Sequence, residues 1–207
     1  MRTLLVESSP GAGGAAEAEL ERAGVEILRC HERSAPAFPC SEITDHGSCP
    51  LSGSTRPDVV FVARASTDRE PTFAEASVSC ALRHGVPVLV EHDPDLGSNP
   101  FGDLVEVVTD EDRLTACRDA ISAAHDREVA PLVAEVVRLL ESAGATDVAV
   151  TVSLVRDGLN CRINVTVPAS SPVADEPIAV RVHDRYRQLL GDGQPGLIEV
   201  GVQRREP

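Results

Sequence analysis

The chain has 207 residues with a formal net charge of −14, 42% hydrophobic and 25% charged. That length can bury one large core or two small ones, and the composition excludes a disordered polymer. All 19 basic residues are arginine, and the acidic excess argues against nucleic acid or anionic lipid as a partner. The one compact basic cluster is Arg181, Arg185 and Arg187, with Arg204 and Arg205 further on. No apolar run approaches the ~18 residues that span a bilayer. The apolar start is short and Glu7 interrupts it early, so no signal peptide is expected. The expected location is the cytoplasm.

In chain order, residues 3–6 form an apolar strand that Ser8-Ser9-Pro10-Gly11 breaks. Residues 12–23 are rich in Ala and Glu and predict a helix closed by Gly24. Val25-Glu26-Ile27-Leu28 is a second strand. Residues 30–56 carry Pro, Gly, Ser and Cys with neither helical nor strand period. A loop of that length in a regular pattern is normally functional, disordered or held by something. Val59–Val62 is a buried-strand run, followed by a helix from about Pro71 to His84 that Gly85 caps. Val86–Val90 and Leu104–Val108 are the next strands. Thr109 with Asp112 predicts a capped helix bearing Leu114, Cys117, Ile121 and Ala124 on one stripe. Such alternation implies parallel strands with helices on both faces: a doubly wound α/β domain over residues 1–125.

From about Arg127 the pattern changes. Val129, Leu132, Val133, Val136, Val137 and Leu140 mark an amphipathic helix ended by Gly144. Two alternating strands follow, with Val148, Val150, Val152 and Leu154 on one face of the first. Cys161, Ile163, Val165 and Val167 line one face of the second, and Asp157-Gly158 predicts a hairpin turn between them. A helix bearing Ile178, Val182, Tyr186 and Leu189 precedes a last strand with Ile198, Val200 and Val202. The order α-β-β-α-β describes a separate α+β module over residues 126–207.

Thr3-Leu4-Leu5-Val6-Glu7, Pro57-Asp58-Val59-Val60-Phe61-Val62-Ala63 and Gly85-Val86-Pro87-Val88-Leu89-Val90 carry a resemblance of residues 1–125 to response-regulator receiver domains, which implies a flavodoxin-like fold. In that family an aspartate ending the third strand accepts phosphate; here Ala63 stands there. The acidic pair after the first strand is reduced to Glu7 followed by Ser8, and the hydroxyl residue after the fourth strand falls near His92. The family's lysine cannot exist in a lysine-free chain. The resemblance implies a pseudo-receiver, because aspartyl phosphorylation has no nucleophile to run on. Strands around Ile163–Val167, Pro172-Val173-Ala174 and Ile198-Glu199-Val200-Gly201-Val202 resemble the alkaline-shock protein family, which implies an interaction or assembly module. The absence of lysine with abundant Ala, Val, Arg and Asp resembles high-GC actinobacterial proteins.

Six cysteines in a reducing compartment do not make a disulfide framework. Metal ligation, redox chemistry and packing are the alternatives. Cys30-x9-Cys40-x8-Cys49 has no Cys-x-x-Cys knuckle, but in a flavodoxin-like order the segment after the second strand lies on the same sheet face as the helix after the third. Cys80 on that helix falls in line with Phe73, Ser77 and His84, away from Val78 and Leu82. Cys30, Cys40, Cys49 and Cys80 could therefore converge on a zinc ion or an iron–sulfur cluster, with His84 one turn along and His31 and His46 as further candidates. Cofactor-free cysteines are the alternative. Cys117 and Cys161 lie on apolar stripes and are expected to be packing.

Gly11-Ala12-Gly13-Gly14-Ala15-Ala16 fits a loose dinucleotide fingerprint with Glu32 downstream, but Glu7 would repel phosphate, which favours a flexible first turn. Glu91-His92-Asp93-Pro94-Asp95 stands at the carboxyl end of a strand, where acid–base chemistry or a solvated loop are both compatible. The expected function is a non-enzymatic, metal-binding pseudo-receiver that binds a protein partner or itself through residues 126–207. The alternatives are a small-molecule or nucleotide-binding enzyme using the first-turn glycines and strand-end acids, and a purely structural interaction protein.

Overall fold

The computed structural model describes residues 1–31, 49–51, 56–65, 70–92, 99–108, 112–146, 148–157, 160–190 and 196–205. The helix-free cysteine loop expected over residues 30–56 falls largely on 32–48 and 52–55, outside the described residues. The chain divides into two compact units, Met1–Ala124 and His125–Pro207. Among the described residues no helix is long and apolar enough to cross a membrane.

In the first unit β1 (Arg2–Glu7), α1 (Gly14–Arg22), β2 (Glu26–Leu28), β3 (Val59–Ala63), α2 (Ser77–Arg83), β4 (Val88–Glu91) and β5 (Glu106–Val108) follow one another. The five strands are all parallel, in the order β2-β1-β3-β4-β5. Every residue of β3 is buried, which is the burial a central parallel strand requires when helices cover both faces. Alternate side chains go to opposite faces. Leu5, Phe61 and Leu89 stand side by side and pack with Ala16 and Leu20 of α1 and with Cys117 and Ala120. Leu4, Val60 and Val88 pack on the other face with Val78 and Ala81 of α2. Each such side chain contributes about 1.5–3 kcal/mol by leaving water.

The helix expected from about Pro71 opens instead as a tight 3-10 turn, Phe73–Ala76, and becomes α-helical at Ser77. Its capping box sets the start: the Glu75 carboxylate accepts the Thr72 N–H at 2.7 Å. Gly24 and Gly85 follow α1 and α2 with φ of +75° and +63°, the left-handed conformation that glycine alone adopts without strain. The fifth strand begins at Glu106 rather than Leu104, because Gly102–Leu104 is a 3-10 turn pinned by Asn99.

The two helices expected on either side of Arg127 are one, α3 (Arg113–Ser142). Residues 125–130 contain neither glycine nor proline, and Pro131 removes only one hydrogen-bond donor inside the helix. Asp112 precedes its first residue, and the Asp112 carboxylate accepts the Thr115 N–H at 2.9 Å and the Thr115 hydroxyl at 2.7 Å. These bonds hold the Asp112 carboxyl below its ordinary pKa. Thr109 lies outside the described residues.

In the second unit β6 (Thr151–Asp157) and β7 (Asn160–Pro168) are antiparallel, α4 (Asp175–Leu190) crosses over, and β8 (Ile198–Arg205) returns parallel to β7. The last described pair of the hairpin is Asp157↔Asn160; Gly158 lies outside the described residues. Rows across the sheet are Val152–Val165–Val202, Leu154–Ile163–Val200 and Arg156–Cys161–Ile198. Their inner face packs on Leu132, Val136 and Leu140 of α3 and on Ile178, Val182 and Tyr186 of α4. Leu189, expected on the same stripe, is 37% exposed.

Candidate functional site at the carboxyl ends of the parallel strands

Parallel sheets of this kind bind ligands at the strand ends where the order reverses. Here the reversal lies at β1, which has β2 on one side and β3 on the other. Glu7 and Ala63 close those two strands side by side.

Glu7 is turned inward on its own chain. One oxygen accepts the Gly13 N–H at 2.8 Å, and the other accepts from Arg29 at 2.9 Å. Arg29 also pairs with Glu17 at 2.9 Å. The amide that a phosphate would need at this first turn is thus taken by a carboxylate. The expected flexible glycine turn is a packed one at Gly13, where an added Cβ would lie 3.0 Å from Glu7 Cγ and 3.2 Å from Leu5 Cδ2. Gly13→Ala is expected to cost about 1–3 kcal/mol through overpacking and a displaced Glu7, read as a lowered melting temperature. Half-buried His31 sits near this pair. Burial, then Arg29, lower its pKa, and Glu7 opposes them.

At the end of β3, Arg64 Nε donates to Glu75 Oε1 at 2.8 Å and Nη2 donates to the Glu70 carbonyl at 2.7 Å. The pair is almost fully dry, at 2% and 0% side-chain exposure. The guanidinium lies 5.9 Å above the Phe101 ring, a cation–π distance. Ser8 ties β1 to the same loop: its hydroxyl accepts the Ala65 N–H at 2.8 Å, and its carbonyl accepts from the Thr72 hydroxyl at 2.8 Å. At the end of β4, Arg113 embraces both Glu91 oxygens, at 2.5 and 3.1 Å, and reaches Glu19 at 2.7 Å. His92 is buried and its N–H donates to the Val108 carbonyl at 3.3 Å. Asp93 and Asp95 lie outside the described residues. Three arginines therefore neutralise the acids of this edge from within. Sequence reading missed them because each is separated from a partner in the chain; only Thr72-x-x-Glu75, a capping-box spacing, signalled one component.

The metal reading is corrected. Among the described residues no three His, Cys, Asp or Glu side chains are grouped so as to hold an ion, so nothing supports zinc or an iron–sulfur cluster at Cys30, Cys49, Cys80 and His84. Cys40 and His46 lie outside the described residues. The physical reason is facing. Cys30 and Cys49 are half-buried against the apolar cluster that contains Val78 and Ala81, whereas Cys80 is on the exposed side of α2. His84 ends α2, where its N–H donates to the Cys80 carbonyl at 3.0 Å and its own carbonyl accepts from Arg56. Cys117 and Cys161 are buried, as their stripes predict. Burial, reinforced by Glu19, pushes the Cys117 thiol up to about 12, so it is no nucleophile at neutral pH.

The second unit holds a further polar cluster next to its core. Arg156 pairs with Glu128 and donates to the Tyr186 hydroxyl at 3.2 Å. Burial raises the Tyr186 hydroxyl and the Cys161 thiol above their ordinary pKa values, against the pull of Arg156. An open depression of ≈ 250 Å³ lined by Val155, Cys161, Arg162 and Glu199 lies beside it. That is below the ~300 Å³ at which small-molecule pockets begin. The chain matches no family model, and no curated protein is similar to it.

Proposed function

We propose that this chain is a pseudo-receiver: a cytoplasmic, non-enzymatic protein whose flavodoxin-like first unit works by contact, and whose second unit is an association module. The observation that carries the reading is the internal neutralisation of the strand ends. Where a receiver presents acids and a phosphoacceptor, this chain has Ala63, with Glu7 held by Gly13 and Arg29. Glu91 is likewise held by Arg113. The parallel order β2-β1-β3-β4-β5 supports the flavodoxin-like assignment. The buried Arg64–Glu75 pair next to Ala63 supports a structural use for the region that performs phosphoryl chemistry in receivers.

The test is incubation of the full chain with acetyl phosphate and magnesium, followed by intact-mass measurement before and after mild base. No phosphoryl adduct is expected. A stoichiometric, base-labile adduct would sink the reading, because it would reveal an acyl phosphate on a carboxylate.

A further inference from the structure

We infer that two copies of this chain associate by pairing their β8 strands antiparallel, about a two-fold axis at Val202. The inference rests on the association role proposed above and names its surface and its partner.

β8 is an edge of the three-stranded sheet. It runs beside β7 through eight consecutive pairs, from Cys161↔Ile198 to Pro168↔Arg205, without a bulge. The Leu197 carbonyl accepts the Cys161 N–H and the Arg205 carbonyl accepts the Ala169 N–H, both at 2.9 Å. Backbone groups alternate in direction along a strand. The odd-numbered residues therefore serve β7, and the amides and carbonyls of Ile198, Val200, Val202 and Arg204 point to the open edge.

Exposed edges are normally blunted. In the first unit both edge strands, β2 and β5, have only three residues. On the opposite edge of the second sheet, β6 carries an inward charge, since Arg156 stands in the row of Cys161 and Ile198. β8 has no proline, and its inward charge comes only at Arg204, which is tied to Asp175 and to the carbonyls of Ser171 and Val173. Among the described residues the edge from Ile198 to Gln203 is regular and carries no proline, bulge or inward charge.

Charge selects a second copy as the occupant. With Val202 opposite its own counterpart, Val200 stands opposite the other copy's Arg204, and these edge-facing residues exchange N–H···O bonds. Glu199, which Arg162 of its own chain holds through one carboxylate oxygen at 3.0 Å, then faces the other copy's Arg205 at a non-hydrogen-bonded position, where side chains approach most closely. Both are exposed, and the two-fold axis repeats the match. Moving the axis to Gly201 sets Glu199 against Gln203 and loses it. The wider field agrees. The first unit has ten arginines against twenty-one acids, but the second has nine against twelve, so association through the second unit meets the weaker repulsion.

The experiment is sedimentation velocity of the full chain across a wide concentration range. The wild type is expected to be a dimer. Val202→Pro is expected to be monomeric with an unchanged far-UV spectrum, because the amide it removes is one that β7 does not use. Arg205→Glu, which sets like charges opposite each other twice, is expected to weaken the dimer about tenfold, and adding Glu199→Arg with Arg162→Glu, which keeps the neighbouring intra-chain pair, restores it. If Val202→Pro fails to fold, the charge-reversal pair decides. A dimer indifferent to these changes overturns the β8 inference while leaving the association role standing. A monomer at every concentration overturns both. Open-ended growth with concentration overturns the two-fold pairing in favour of head-to-tail addition.

Discussion

Replacing Glu75 with alanine is expected to lower the unfolding free energy by about 3–5 kcal/mol, the usual result of leaving one partner of a dry ion pair behind. Glu75 is fully buried and Arg64 nearly so. Without the carboxylate, the Arg64 guanidinium keeps its charge in a place water scarcely reaches. The Thr72 N–H also loses its acceptor at the opening of α2. Against a typical domain stability of about 5–15 kcal/mol, this one change threatens the fold. Urea denaturation followed by far-UV circular dichroism measures the effect. Glu75→Gln is expected to fall in between, since an amide keeps the volume and an acceptor oxygen but no charge. Replacing both Arg64 and Glu75 with apolar residues of similar size is expected to cost less than Glu75→Ala alone. A loss below about 1 kcal/mol for the single alanine variant would show that the pair is not anchoring the end of β3.

Tyr186→Ala is the second large effect, with an expected cost of about 3–5 kcal/mol. The ring is 2% exposed in the core formed by Leu132, Val136, Ile163 and Ile178. Its removal opens a cavity that a three-stranded sheet and two helices cannot easily close. Tyr186→Phe keeps the ring and removes only the hydroxyl that Arg156 uses, so it should cost about 0.5–3 kcal/mol. The contrast between the two variants separates packing from the polar cluster. Circular dichroism is the readout, because the substitution removes the chain's one tyrosine and there is no tryptophan. A Tyr186→Phe loss equal to that of alanine would place the stabilisation in the hydrogen bond instead.

The strands were legible because local pattern decides them. Val59–Ala63 is an unbroken apolar run, and an apolar run of that length has few other ways to leave water. Cys161, Ile163, Val165 and Val167 alternate, and all four are buried on one face. The outward side of α2 at Cys80 followed from angular spacing alone: Cys80 is exposed while Val78 is buried. Helix junctions were less legible. Nothing between Ala124 and Ala130 stops a helix, so the change of stripe near Arg127 marks a change of packing partner within α3, not an end.

Thiol positions show where local reasoning stops. Spacing put Cys80 on the outward stripe, but it could not say which way Cys30 and Cys49 turn. That was decided by the apolar cluster they pack against, whose buried members come from three strands, a helix and the segments between them. A coordination sphere needs side chains converging on one point, and no periodicity carries that information.

By itself, then, the sequence determined an acidic, lysine-free chain with a parallel-type half, a smaller α+β half and alanine, not a carboxylate, at position 63. Burial along a regular strand such as Val59–Ala63 follows the local pattern, so composition and period are enough to read it there. Only the tertiary structure decided how the strand-end charges are used. Arg113 meets Glu19 across 94 positions and Glu91 across 22, and Arg29 meets Glu7 across 22. Such contacts are made by the register of strands and the docking of helices, which bring together residues that share no local pattern.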